Sequence, residues 1–367
     1  MNVALVIYGS LDILTGGFIY DRYLVEALRR RGHRVEVVGL PQRHYALSLA
    51  DNFSRRLPAR LLADGWDLLL QDELCHPSLL RLNRRLRVRG RRPIVGIVHQ
   101  VLCRQPRSRI ANRAFRWAES RYLRSVDGLL FTSHATCRLA EPLIGAARPR
   151  QVAAPGGDRL GRIPSVELID ERSRSAGPLE ILFVGNLSPV KGLHRLLESL
   201  AGLPRHIWRL TVAGSLTTDR AYGRRIRAAL GALNLIRQVH CRGLVEGARL
   251  RELFARSHVF AMPFAHEGFG IAALEAMAFG LPVIGSTAGG AGEFVRHQVN
   301  GFLVAPGDRQ AVGRHLELLY HDRNRLAAMG RAALDTFLAR PTWDESMECA
   351  CRFLEDGMGA WMPPSVS

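Results

Sequence analysis

The stretch His266–Gly285, HEGFGIAALEAMAFGLPVIG, decides the reading of this chain. Glu267 and Glu275 stand eight positions apart, separated by the turn Gly268-Phe269-Gly270 and the start of an apolar helical pattern. Gly268 and Gly270 lack a Cβ, so the backbone there can approach a ligand closely and leave its N–H groups open. Ile271–Phe279 is rich in strong helix formers, and Gly280-Leu281-Pro282 supplies a helix stop. A helix start with open N–H groups suits a phosphate. Glu267 precedes the helix and Glu275 lies about one turn inside it, so both carboxylates are expected on one side, where they would accept hydrogen bonds from sugar hydroxyls. An anion-binding backbone beside two hydroxyl-binding carboxylates meets the needs of a nucleotide-sugar. Taken singly, the fragments also fit an ordinary turn and a solvated helix residue. Gly268-x-Gly270 half-matches a dinucleotide fingerprint, but Ala273 fills the third glycine position.

The basic residues carry a second signal. Lys and Arg total 51, and a single one of them, Lys191, is lysine. It stands in Phe183-Val-Gly-Asn-Leu-Ser-Pro-Val-Lys191-Gly192, directly after the strand-like run Leu179–Val184. An ammonium is a compact point charge on a flexible stem, and a guanidinium does not replace it. One lysine kept among so many arginines is therefore read as functional.

Over its twenty residues the opening stretch resembles the signature of retaining glycosyltransferases of the GT-B fold, family 4 (glycosyl transferases group 1). The resemblance places Lys191 on the donor diphosphate. It extends in order and spacing from about residue 15 to residue 345. Thr15-Gly16-Gly17 follows the first strand and opens a helix, where Gly16 and Gly17 can offer backbone N–H groups to a phosphate. Arg31-Gly32-His33-Arg34-Val35 follows at the family's distance, with His33 structural. His99 ends the apolar strand Pro93–Val98, at the ligand-facing edge of an open sheet, and the resemblance puts it near the transferred sugar. Thr132-Ser133-His134 resembles a serine-containing turn of the family. Gly214, in Ala213-Gly214-Ser215, and Gly243 with Leu244, in Arg242–Val245, match strand-end turns that hold the nucleotide base through backbone atoms. Thr287–Glu293 matches the next strand-end loop, and Asn300–Val304 the hairpin after it. There are two departures. Ala154-Pro155-Gly156-Gly157-Asp158 stands where the family has Asn-Gly-Val-Asp, and Asn186 stands where it has an arginine paired with the lysine, a shortfall that Arg195 is a candidate to cover.

The resemblance implies a hexosyl transfer with retention of configuration from a nucleotide-diphosphate sugar, of the UDP-glucose or GDP-mannose kind, to a glycan or lipid-linked acceptor. The catalytic set is His99, Glu267 and Lys191. Donor binding falls to Gly16, Gly17, Asn186, Lys191, Gly214, Gly243, Leu244, Glu267, Gly268, Phe269, Gly270, Ile271 and Glu275, with Glu275 on the ribose. Front-face attack, the donor phosphate taking the acceptor's proton, belongs to the same implication. The donor is a substrate, no cofactor is expected, and no Asp-x-Asp lies in a metal-binding setting, so no metal requirement is expected.

Composition sets the frame. A chain of 367 residues suits two domains. The first half alternates strands (Val3–Tyr8, Arg34–Val38, Leu68–Leu70, Ile94–His99, Gly128–Thr132) with helices. The second repeats the plan with Leu179–Val184, Arg209–Ala213, Val239–Arg242, Val259–Met262 and Pro282–Gly285. The expected class is α/β: two Rossmann-like, doubly wound parallel-sheet domains facing a central cleft. The boundaries expected are 1–165 for the acceptor side, 166–340 for the nucleotide-sugar side, and 341–367 for a helix crossing back to the first domain. Arg159–Pro178 reads as the linker. MNVALVIYGS reads as a buried first strand rather than a signal peptide, and no run of eighteen apolar residues occurs. The six cysteines lack zinc-type spacing and read as thiols of a cytosolic protein.

Residues 1–165 hold 28 basic against 13 acidic residues, so most of the net +18 lies there. Arg81, Arg84, Arg85, Arg87, Arg89, Arg91 and Arg92 crowd the approach to the Pro93 strand, and Arg109, Arg113, Arg116 and Arg124 follow at near-helical spacing. This predicts an acidic partner, taken here as the anionic inner face of a membrane. Two rivals remain: a nucleotide-sugar hydrolase or epimerase of the same fold, and a basic nucleic-acid-binding module. The second is weakened by arginines that are not interleaved with aromatics and by the lack of any nucleic-acid motif.

Overall fold

The computed structural model describes residues 1–54, 57, 61, 65–90, 92–105, 107–145, 148–161, 163–263 and 267–361, less the side chains of 87–90 and 358–360. His266, Arg91 and the side chains of Arg87 and Arg89 therefore lie outside the described residues. The chain divides into two compact units, one of Met1–Pro155 with Trp343–Ser367 and one of Gly156–Thr342.

In the first unit, β1 (Asn2–Tyr8), β2 (Arg34–Leu40), β3 (Leu68–Asp72), β4 (Ile94–Val98), β5 (Gly128–Phe131) and β6 (Arg150–Val152) form one sheet in the order β2-β1-β3-β4-β5-β6. Every pairing is parallel. Val3–Ile7 and most of β3, β4 and β5 are fully buried, as expected of apolar strands covered by helices on both faces. The order runs outward in two directions from between β1 and β3. That is the topological switch point, where strand ends splay and leave room for a ligand.

The closing helix Trp343–Trp361 packs on the helix Gly16–Arg30 within this unit. Trp343 stacks on Tyr23 with centroids 4.1 Å apart, and Ser346 Oγ donates to Ala154 O. Glu355 accepts from Arg31 Nε (2.9 Å) and Nη2 (2.5 Å) and contacts His33 Nε2 (2.7 Å). The Arg31 hydrogen bond, against a small desolvation cost and helped by His33, holds the Glu355 carboxyl down at about 2.

In the second unit, β7 (Leu179–Val184), β8 (Trp208–Ala213), β9 (Val239–Gly243), β10 (Val259–Ala261), β11 (Val283–Ser286) and β12 (Gly301–Val304) give the order β12-β11-β10-β7-β8-β9, again all parallel. Its switch point lies between β7 and β10.

Three expectations change. The segment around Asn300–Val304 is a parallel edge strand on β11, not a hairpin. β6 was not anticipated, being three residues with a charged start. The stretch read as a linker holds the helix Val166–Arg174, capped by Ser165 and built into the second unit, and the division between the units falls at Pro155/Gly156. Its exposed Glu167 and Glu171 gave the stretch a solvated composition, while Ile169 and Ser173 are buried. Ile169 packs on Gly280, where a Cβ would come within 2.4 Å of its Cδ1. Arg172 donates to the carbonyls of Phe279 and Gly280 (2.9 and 3.0 Å), closing the end of the Ile271–Ala278 helix.

Candidate functional site

At the switch point of the second unit, β7 runs into Gly185 and then the short 3-10 turn Pro189–Lys191, while β10 runs toward Glu267. The result is an ion pair between Lys191 Nζ and Glu267 Oε1, across 76 residues of sequence. Gly185 leaves space for the lysine stem, with a Cβ built there 4.0 Å from Lys191 Cε. Backbone hydrogen bonds tie the neighbouring strand ends together: Gly185 N donates to Ala213 O (2.9 Å) and Gly214 N to Gly243 O (2.7 Å). Gly214 has no alternative, because a Cβ would lie 2.0 Å from Gly185 O. Leu244, just past β9, is 57% exposed. Asn186 is half-buried beside this edge and carries no charge to share with Lys191, and Arg195 is half-buried on the helix that follows.

The turn before the Ile271–Ala278 helix is locked from the side. Gly290 N donates to Glu267 O (3.0 Å), and a Cβ at Gly290 would lie 2.3 Å from Gly268 O. Gly270 takes a left-handed conformation (φ 103°) as N-cap, and no side chain caps the helix. The site therefore offers a helix start with its dipole uncompensated by an acidic residue in the first turn. Phe269 and Ile271 are buried, Phe269 packing on Phe294 at 5.3 Å, so what they can offer a ligand is backbone.

The two glutamates have different ion-pair partners. Glu267 goes to Lys191. Glu275 is 1% exposed and accepts from Arg159 Nε at 2.7 Å. Burial pushes the Glu275 carboxyl up, and Arg159 pulls it back by charge and hydrogen bond. Arg159 sits in the 3-10 turn Asp158–Leu160, directly after the segment that departs from Asn-Gly-Val-Asp. That departure was the one available signal for it.

The first unit gathers charge at its own switch point. Thr15 caps the Gly16–Arg30 helix by accepting from Phe18 N (3.1 Å). Gly16 is exposed, and Gly17 lies against His99: a Cβ there would sit 3.4 Å from the imidazole. His99 follows β4, Asp72 ends β3, and Asp21 lies one turn into the helix; all three are buried. His99 Nε2 meets Asp21 Oδ1 at 3.1 Å, and ligand-type atoms of His99, Asp21 and Asp72 lie within 4.8 Å of one another. Burial opposes charge on the imidazole, but the Asp21 carboxylate, its hydrogen bond and Asp72 outweigh burial and raise His99 to about 9. Burial raises Asp72 as well, with His99 opposing. Neither aspartate was picked out from sequence, because nothing local marks them. Beyond Asp72, Glu73 is buried against Glu119 and His76, and burial and Glu119 push its carboxyl well up. Ser133 serves as a helix cap, accepting from Thr136 N (2.9 Å).

Residues 166–336 match the family model of glycosyl transferases group 1. The second unit belongs to that family. Among curated relatives, the D-inositol 3-phosphate glycosyltransferase of Xylanimonas cellulosilytica is 31% identical over 241 residues, covering 62% of this chain and 56% of that protein. The chain spans about half the length of the curated relatives it matches. A sucrose-phosphate synthase from Thermosynechococcus elongatus superposes with a TM-score of 0.82 at 20% identity, over 98% of this chain and 100% of that one. An Anabaena protein solved with UDP-glucose gives 0.76 at 19% identity, over 97% and 100%. The fold is that of the GT-B glycosyltransferases. In the glycosyl transferases group 1 unit, Lys191, Glu267, Gly268, Gly270, Gly214 and Gly243 thus share one sheet edge, while Glu275 is withdrawn into the ion pair with Arg159.

Proposed function

We propose that this protein is a retaining glycosyltransferase that moves a hexose from a nucleotide-diphosphate sugar to a glycan or lipid-linked acceptor. The observation that carries the proposal is the Lys191–Glu267 pair beside an uncapped helix start at the switch point of the second unit. A diphosphate arriving there meets the ammonium and the helix N–H groups, which stabilise the charge that develops as the sugar–phosphate bond breaks. Glu267, released from Lys191, is then available to the sugar hydroxyls. The base meets backbone turns at Gly214 and Gly243 and the exposed Leu244. Glu275 with Arg159 sets the ribose side, and His99 is the first unit's candidate for substrate contact. Positive charge comes from Lys191 and the helix, so the transfer calls for no divalent ion. The Anabaena structure holding UDP-glucose supports a UDP-sugar as the first donor to try. A panel of nucleotide-sugars, read by thermal shift and by product anomer in NMR, tests this. A stabilising donor and an α-linked product are expected. Donor breakdown without transfer to any acceptor offered would favour the hydrolase.

A second observation supports a site of action at a membrane. On the helix Arg109–Leu123, Ile110 (83% exposed) and Trp117 (58%) project among the exposed Arg109, Arg113 and Arg116. Apolar anchors ringed by arginine fit an anionic lipid surface, each arginine contributing about 1 kcal/mol. Among the described residues no helix is long and apolar enough to cross a membrane. Co-sedimentation with phosphatidylglycerol vesicles at low salt, lost when Arg109, Arg113 and Arg116 are neutralised, is the expected result; binding to duplex DNA in its place would reject it.

A further inference from the structure

We infer that Asp21 is a positioning residue for His99, holding the imidazole by Nε2 so that Nδ1–H is the group presented to substrate. The inference deepens the proposed function, since it rests on His99 being a residue that contacts substrate.

The geometry is specific. Gly17, Tyr20 and Asp21 fall at i, i+3 and i+4 of the Gly16–Arg30 helix, one face of its first turns. Each meets the His99 ring differently: Gly17 by leaving room for it, Tyr20 by an edge contact at 5.5 Å and 80°, Asp21 by the 3.1 Å hydrogen bond. The ring cannot rotate without losing the bond, and a side chain at position 17 would crowd it. Asp21 is fully buried and its Oδ2 has no hydrogen-bond partner among the described residues. A buried carboxylate oxygen left unsatisfied costs stability. The groups facing this ring are Tyr20 and Asp21 from the helix and Asp72 from the end of β3, with Cys75 beyond Asp72.

The chemical consequence follows from the charge. With two carboxylates facing it, His99 is an imidazolium at neutral pH. Both ring nitrogens then carry protons and neither has a lone pair to act as a base. The histidine can donate a hydrogen bond and place positive charge beside a substrate oxygen. It cannot take the acceptor's proton.

The test labels the histidines with 15N and follows them by long-range NMR, the His99 signal being identified by its loss in His99→Gln. Both ring nitrogens should read as imidazolium at pH 7.5, with loss of the proton near pH 9. Asp21→Asn should move that loss below pH 7, toward or under the ordinary histidine value of about 6.5. In the same variant kcat should fall roughly 10²-fold, as on loss of a charge-stabilising donor, with little change in donor KM. The alkaline limb of the kcat profile should shift down with the NMR midpoint, Asp21→Glu should restore part of it, and Asp21→Asn should cost little more once His99 is glutamine. A wild-type midpoint at or below the ordinary value, an unmoved midpoint in Asp21→Asn, or a stoichiometric divalent ion that Asp21→Asn releases would each overturn the inference. The NMR arm needs no turnover, so a protein that fails to transfer sugar still answers the question about Asp21.

Discussion

The two units have the same sheet plan, yet they equip their switch points in opposite ways. The second unit works with backbone: glycines at 214 and 290 bring strand ends and turns into close approach, those at 185, 243 and 270 take positive φ, and one partly exposed ion pair, Lys191–Glu267, supplies the charge. The first unit works with buried ionisable groups, setting Asp21, Asp72, His99 and Glu73 where water does not screen them. The difference teaches what each edge depends on. A backbone-built edge tolerates change in its side chains. A charge-built edge depends on each group for the state of the others.

The largest effect expected comes from the one place where the second unit borrows the first unit's device. Arg159→Ala leaves the Glu275 charge buried without its partner, a change that costs about 3–5 kcal/mol. The sign of its pH dependence is fixed. A carboxyl raised by burial loses stability as pH rises toward its folded value, so Arg159→Ala should melt lower at pH 8 than at pH 5. Equal melting temperatures at the two pH values would break the comparison.

Lys191→Ala should cost about 2.7–4 kcal/mol of transition-state stabilisation, read as a fall in kcat at unchanged circular dichroism. Near-normal turnover in the folded variant would take the lysine out of the mechanism. Gly290→Ala sharpens the claim that backbone builds this edge. Its Cβ would press on Gly268 O and Phe269 Cα, and overpacking of this kind costs about 1–3 kcal/mol, seen as a lower Tm and weaker donor protection.

The smallest effect belongs to the closing helix. Glu355→Gln removes a partner of Arg31 and His33 at the surface, worth at most about 1 kcal/mol. Because Glu355 is held down at about 2, its contribution is present above the ordinary carboxylate value and is lost as pH falls toward 2. The Tm difference between wild type and variant should therefore shrink between pH 7 and pH 3.

The same contrast explains what could be read in advance. The fold was legible because parallel strands buried on both faces leave apolar runs, and glycines mark their ends. Lys191, Glu267 and the Gly268–Gly270 turn were legible because a short motif carries them, and because a lone lysine stands out in an arginine-rich chain. Arg159 was hidden: an arginine among many, in a segment whose exposed charges suggested a linker. Asp21 and Asp72 were hidden more deeply. Their meaning lies in meeting His99, 78 positions from Asp21, and no local spacing encodes that. β12 was misread because a four-residue edge strand after a Gly-rich loop has the same pattern as one arm of a hairpin.

The lone lysine has one more consequence. With every other side-chain cation of this class an arginine, the chain holds a single ε-amine, and that amine is half-covered by Glu267. An amine-selective acylating reagent can therefore form a stable amide on one side chain only, apart from the terminal amine, which is itself engaged with His33 at 3.2 Å. Mass spectrometry of the intact protein would count that event directly, and slower acylation in the presence of a nucleotide-sugar would report occupancy of the donor site without any assay of transfer. The composition of the chain makes its own label for the proposed donor site.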